Sequence, residues 1–351
     1  MKALRLYAPG DLRLEEIPIP LPSPDEVLVR ILACGICGSD IPRVFEHGTY
    51  KYPLIPGHEF SGIVEKVGSE TGKDWIGRHV VVYPLIPCRQ CSSCYSGLYT
   101  QCLNYDYLGS RRDGGFAEYV TVPRDNIIPV PDGVPGEVSA ITEPCAVALH
   151  AVRKAQVCAG DTVLITGAGT IGILIALWAR ASGAEVLMTD LIIKKLKFAR
   201  SLGFQHLLDA GQANVSEWVK QRYKNGVNLV FETTGHPGGL ETAIESCCIS
   251  GRIILVGNPS FEEMKLPAKQ YGTILRKEIQ ITGVWNSWIN EYPKNEWQVV
   301  LQEFKKDSSL YSKVITHKVP IEGLKELFME IYNKKVFPIK AIYCNKEINS
   351  C

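Results

Sequence analysis

The sequence predicts an α/β protein in two parts, an irregular β domain and a doubly wound parallel sheet. Three observations carry this. From Thr162 to about Gly283, short apolar runs alternate with helix-patterned stretches, the signature of a parallel sheet. Before residue 150 that alternation is missing. The apolar runs there, EVLVRILACG, HVVVYPLI and AEYVTV, are separated by Gly and Pro, as in irregular β structure. The length, 351 residues, suits about two domains at roughly 150 residues each.

Taken in order, Met1 to Glu16 has no apolar run of the secretory type, so a cytoplasmic protein is expected. The β-type runs follow. From Thr162 we read strand VLITG, helix Ile171–Ser182, strand AEVLMTD, helix Ile193–Gly203, strand NLVFETTG, a further apolar helix reaching Cys247-Cys248, and strand GRIILVG. Right-handed crossovers would wind these into one sheet. The stretch from Thr162 to Ala179 lacks charge, but Gly167, Gly169 and Gly172 break it, so it reads as strand–turn–helix and not as a membrane span. The tail from Trp285 holds a helical stretch, Gly323 to Asn333, and a last strand, IKAIYC. It is short to fold alone and is expected to return to the first domain. The predicted division is residues 1–155 with 286–351, and residues 156–285.

Composition is that of an ordinary globular chain, 46% hydrophobic and 21% charged, with a net charge of +1. Near-neutrality gives no reason to expect nucleic acid or an anionic membrane as partner. Twelve cysteines stand out, and Cys88, Cys91, Cys94 and Cys102 follow C-x2-C-x2-C-x7-C. Cytosolic thiols stay reduced, and x2 spacing favours chelation, so these four are expected to close one tetrahedral structural zinc site. The surrounding lobe has one basic residue, Arg89, and so no phosphate-binding stripe for nucleic acid.

Gly167-Ala-Gly169-Thr170-Ile171-Gly172 follows the strand VLIT and opens a helix, and Asp190 ends the next strand. That context reads as a dinucleotide site. Gly167 permits the tight turn, Gly169 lets a pyrophosphate approach the backbone, and Gly172 lets helix and strand pack closely. The N–H groups of the helix start, Thr170 and Ile171 among them, face the phosphates. Asp190 would accept from the ribose hydroxyls and repel a 2′-phosphate, which favours NAD over NADP.

Cys37 in CGICGSD, His58 in PGHEF and Glu143 in ITEPC are candidates for a second metal. Thiolate, imidazole and carboxylate suit zinc, and three protein ligands leave a fourth position open for chemistry. Spacing alone does not join them: each has an ordinary structural reading, and Cys145 competes with Glu143.

The motifs CGICGSD, GHEFSGIVEKVG, the cysteine lobe, the EP dipeptide at 143–144 and GAGTIG, in this order, resemble the zinc-dependent medium-chain alcohol and polyol dehydrogenases. The resemblance covers essentially the whole chain. It implies a GroES-like irregular β zinc-binding catalytic domain plus a Rossmann doubly wound parallel-sheet domain, with two zinc ions and NAD. By this resemblance Cys37, His58 and Glu143 are the catalytic zinc ligands and Glu59 is an acid beside the metal. Ser39 relays the substrate proton, Asp40 orients the His58 imidazole, and Lys195 lies near the adenosine ribose. Glu143 points to the polyol and threonine dehydrogenase branch. The runs CGSDIPRVF, YDYLGSRRDGGFAEY and ILRKE…GVWNSW look most like the members of that branch that act on a polyol phosphate.

Two departures matter. Pro42 stands where many relatives end a proton relay in histidine. Arg43, Asn286 and Ser287 stand where sorbitol dehydrogenases carry a Tyr and an Arg–Tyr pair. A secondary hydroxyl of a polyol or polyol phosphate is the expected hydride donor. Other polyols such as sorbitol, or L-threonine, are alternatives, and a non-catalytic dinucleotide-binding protein is a remote one. A phosphate would need a cation. Arg43, six residues after Cys37, is the first choice, with Arg111 and Arg112 also considered; Asn286 is a further candidate substrate residue. A homodimer or homotetramer is expected by resemblance.

Overall fold

In a computed structural model of the chain, residues 1–259, 263–290 and 294–345 are described. Cys351 lies outside them. The chain forms two compact units, Met1–Ala146 with Trp288–Cys351, and Val147–Ser287. The first crossing falls inside the helix Thr142–Lys154, not after it at residue 155 as the sequence suggested. One continuous helix carries the chain across, so composition gives no signal at that point.

The first unit is built on a seven-stranded sheet. Its longest strand, Glu26–Ile36, pairs antiparallel with Glu59–Val67, with Tyr119–Pro123 and with the C-terminal strand Lys340–Cys344. The tail therefore completes the sheet of the N-terminal residues. Val27, Val29, Ile31, Phe60, Val64 and Phe328 are among the apolar side chains buried on it. Two short strands, Leu85–Ile86 and Asp106–Tyr107, pair at the base of the cysteine lobe and fix where it starts and ends.

The second unit is a six-stranded, all-parallel sheet. From one edge it runs His206–Asp209, Glu185–Asp190, Thr162–Thr166, Val227–Glu232, Cys247–Leu255 and Gln280–Gly283. The order therefore reverses between Thr162–Thr166 and Val227–Glu232, the strands flanking the switch point where doubly wound sheets bind ligands. The helices Thr170–Ala181 and Ile193–Ser201 lie within a residue or two of the predicted ones. Cys247 and Cys248 are a correction: they open a strand, and the preceding helix, Pro237–Ser246, ends before them. Among the described residues no helix is long and apolar enough to cross a membrane.

Candidate active site and metal centres

The first cluster lies in the first unit. Cys37 follows directly on the end of Glu26–Ile36, and His58 directly precedes Glu59–Val67, the strand paired to it. Antiparallel pairing thus brings together motifs that are far apart in sequence. The ligand atoms of Cys37, His58 and Glu59 all lie within 4.8 Å of one another. Glu143 lies outside that grouping. It is buried, and burial raises its carboxyl to about 7, with Glu59 and Asp40 pushing the same way and His58 and Lys340 opposing.

Asp40 is fully buried and ties the cluster together. It accepts from the Cys37 N–H at 3.0 Å and from Arg43 Nη1 at 2.8 Å, and its Oδ1 lies 3.4 Å from His58 Nδ1. Burial works against its charge, but His58, Arg43 and the Cys37 N–H outweigh it and hold the carboxyl below its usual range. With Asp40 on the Nδ1 side, Nε2 is the imidazole nitrogen left for a metal. Ser39 Oγ donates to Cys37 Sγ at 3.3 Å, so the hydroxyl sits at the cluster.

The lobe gathers Cys88, Cys91, Cys94 and Cys102, with all four sulfurs within 4.8 Å of one another and no disulfide. Cys91 Sγ and Cys102 Sγ are 3.9 Å apart. A tetrahedron with Zn–S of about 2.3 Å has edges of about 3.8 Å, whereas a disulfide needs about 2 Å. The backbone N–H groups of Leu103 and Cys94 draw the Cys91 thiol down to about 6, which favours the thiolate.

In the second unit, Gly167 has a φ of +98° after the strand Thr162–Thr166, a left-handed value that glycine adopts readily. A Cβ on Gly172 would sit 1.9 Å from the Gly167 carbonyl oxygen, so the turn and the helix Thr170–Ala181 meet only because that side chain is absent. Asp190 ends its strand and braces the turn, accepting from the N–H groups of Ala168 and Ile192 at 2.7 Å each. A Cβ on Gly169 would lie 4.0 Å from Lys195 Nζ, which puts that cation beside the glycine turn.

Two family models match the chain, "Alcohol dehydrogenase GroES-like domain" over residues 23–132 and "Zinc-binding dehydrogenase" over residues 170–306. The galactitol 1-phosphate 5-dehydrogenase of Escherichia coli strain K12 is 36% identical over 334 residues, 94% of this chain and 96% of its own.

The chain belongs to the zinc-binding dehydrogenase family.

Among solved structures, galactitol-1-phosphate dehydrogenase from Escherichia coli superimposes with a TM-score of 0.92 at 35% identity, covering 98% of this chain and all of the other. A zinc-binding dehydrogenase from Sinorhizobium meliloti 1021, bound to NADP, gives a TM-score of 0.88 at 27% identity over 98% of each chain. This dehydrogenase therefore acts on alcohol groups, with zinc and a nicotinamide dinucleotide as its cofactors.

Its residues fit these groups. The cysteine lobe offers four free thiols at tetrahedral spacing, and the second cluster offers thiolate, imidazole and carboxylate. Residues outside the sequence prediction pack beside these groups in each unit. Lys340, fully buried on the C-terminal strand, pairs with Glu59 and donates to the Ile36 carbonyl at 2.9 Å. Gly35 makes room for this pair, since a Cβ there would lie 2.1 Å from Glu59 Oε2. The lysine inside the apolar run IKAIYC was the only signal for it. In the second unit Thr233 Oγ1 donates to the carbonyls of Thr166 and Gly167, tying the two switch-point turns together.

The candidate phosphate cations separate sharply. Arg43, the first choice from sequence spacing, is already engaged by the buried Asp40. Arg112 pairs with Glu26 and Asp106. Arg111 has no carboxylate partner among the described residues; its guanidinium lies 4.2 Å from the Tyr50 ring centroid and 4.5 Å from that of Tyr105. Asn286 belongs to the second unit. It is buried at a φ of +61°, and its Oδ1 has no hydrogen-bond partner among the described residues.

Proposed function

We propose that this dehydrogenase oxidises a secondary hydroxyl of a polyol phosphate with NAD, and that its substrate is galactitol 1-phosphate, giving tagatose 6-phosphate. The observation that carries the reading is the similarity, over nearly the full length of both chains, to the galactitol 1-phosphate 5-dehydrogenase of Escherichia coli. NAD is favoured because Asp190 places a carboxylate at the end of the second strand, where a 2′-phosphate would meet a like charge.

Cys37, His58 and Glu143 would hold the catalytic zinc, with Glu59 as the adjacent acid, and Cys88, Cys91, Cys94 and Cys102 the structural one. When bound, zinc supplies a Lewis acid for the substrate hydroxyl and the nicotinamide supplies the hydride acceptor. Ser39 Oγ, hydrogen-bonded beside the Cys37 sulfur, takes the hydroxyl proton and passes it toward solvent. Asp40 fixes the ring of His58 through Nδ1. Lys340 balances Glu59, whose charge would otherwise be buried unpaired.

The test is a panel of galactitol 1-phosphate, galactitol, sorbitol and L-threonine with NAD. The expected order puts galactitol 1-phosphate first in kcat/KM, at least about 10-fold above galactitol, the factor one charge-assisted hydrogen bond supplies. A higher value for sorbitol or L-threonine, or equal values for galactitol and its phosphate, would overturn the reading.

A further inference from the structure

We propose that Arg111 is the residue that recognises the phosphate of the substrate, and that Tyr50 and Tyr105 hold its guanidinium ready to do so. The proposal rests on the polyol-phosphate reading and names the part of the site that reads the phosphate.

Three arginines lie close in sequence to the cluster residues or in the loop packed on them, and pairing distinguishes them. Asp40 neutralises Arg43, and Glu26 and Asp106 neutralise Arg112. Arg111 alone of the three keeps an uncompensated charge among the described residues. Its Nε is buried without a hydrogen-bond partner among the described residues. An arginine held against aromatic rings with no acid beside it is matched to a doubly charged phosphate, two of whose oxygens the guanidinium fork can bind at once. Stacking between two rings fixes the plane of the fork before a ligand arrives and lowers the entropy lost on binding.

The position of Arg111 is also fixed relative to the metal ligands. Its backbone belongs to a tight turn in which the N–H groups of Arg111 and Arg112 both donate to the Tyr107 carbonyl, at 2.9 and 3.1 Å. That turn is stitched to the segment leading into His58. Asp113 Oδ1 accepts from the Ile55 N–H at 3.0 Å, Gly114 N–H donates to the Ile55 carbonyl at 2.7 Å, and Gly115 N–H donates to the Gly57 carbonyl at 2.9 Å. A Cβ on Gly109 would lie 2.6 Å from the Gly57 carbonyl oxygen, so the two strips of backbone are in direct contact. Side chains continue the link. Tyr105 stands edge-on to Tyr107 at 6.3 Å, and Tyr107 edge-on to the His58 imidazole at 5.8 Å. A cation locked to the wall that carries His58 can hold one end of a substrate whose hydroxyl is held at the metal ligands.

The experiment measures kcat/KM for galactitol 1-phosphate and for galactitol in the wild-type holoenzyme and in Arg111→Gln, with inorganic phosphate as a competing probe. The expected result is a fall of about 10- to 100-fold in the phosphate-to-polyol ratio, the range set by loss of a charge-assisted hydrogen bond. The fall should appear mainly in KM, and inhibition by inorganic phosphate should weaken in parallel. Arg111→Lys keeps the charge but loses the fork and should recover part of the ratio, which also serves if the glutamine variant does not fold. A wild-type ratio near one would remove the polyol-phosphate reading and this proposal with it. A large wild-type ratio that survives in both variants would overturn this proposal alone, as would an equal loss on both substrates.

Discussion

Asp40 shows how much of this site is decided by a residue that would not itself touch the metal. Its carboxylate sits against His58 Nδ1, receives the Cys37 N–H and holds Arg43, so it sets the imidazole orientation and the start of the CGICGSD loop together. Asp40→Asn keeps the shape and removes the charge. We expect the open site to bind zinc about 10- to 100-fold more weakly, the range for losing a carboxylate behind a ligating histidine. Competition of the purified variant against a chelator, followed by metal analysis, checks this; unchanged affinity would mean that Asp40 only braces the loop. Asp40, Ser39 and Glu59 were named through the family resemblance, and the fold brings all three beside Cys37 and His58. Lys340 was not, because its partnership with Glu59 exists only once the C-terminal strand pairs with Glu26–Ile36. Which of the three arginines an acid neutralises is likewise decided by tertiary neighbours; spacing put Arg43 first, and the fold pairs it with the buried Asp40.

At the scale of elements, the apolar strands Thr162–Thr166, Glu185–Asp190 and Val227–Glu232 were readable because a buried parallel strand is an unbroken apolar run. The edge strands His206–Asp209 and Gln280–Gly283 were missed. One is half-buried and the other exposed along its whole length, so neither shows an apolar pattern. The strand opening at Cys247 was taken into the preceding helix because both are apolar and periodicity does not separate them over so short a stretch. The cysteine lobe is the opposite case, in which spacing alone is informative. Its local elements are only a four-residue helix and a three-residue turn, so metal bonds rather than packing would hold it. Cys102→Ser removes one of four ligands. Zinc should fall from about two to about one per chain, with thermal stability falling as well. Elemental analysis beside a melting curve tests this. Zinc content unchanged in the variant would show that the lobe carries no metal.

For the whole molecule, the near-zero net charge makes self-repulsion a small factor, so pH dependence should come from individual buried groups. His79 is the clearest of these away from the metal ligands. It begins the strand His79–Val82 in the sheet of the first unit, and its Nε2 lies 3.0 Å from Ser139 Oγ. Burial lowers its pKa from 6.5 to about 4. Between those values the unfolded chain takes up a proton that the folded chain refuses, so the unfolded state binds more protons and stability rises with pH. The contribution is therefore fully present above pH 6.5 and is lost as pH falls toward 4, on the order of 3 kcal/mol across the window. His79→Gln keeps a polar atom for Ser139 and removes the titration. Denaturation midpoints of the two proteins, measured from pH 7.5 to 4.5 as about half-unit steps around this window, should show the wild type falling relative to the variant as the pH drops, because only the wild type carries the extra loss. The sign is what decides it: a wild-type protein that gained stability relative to the variant on acidification would require His79 to be charged in the fold, with an acid close to it that burial alone does not supply.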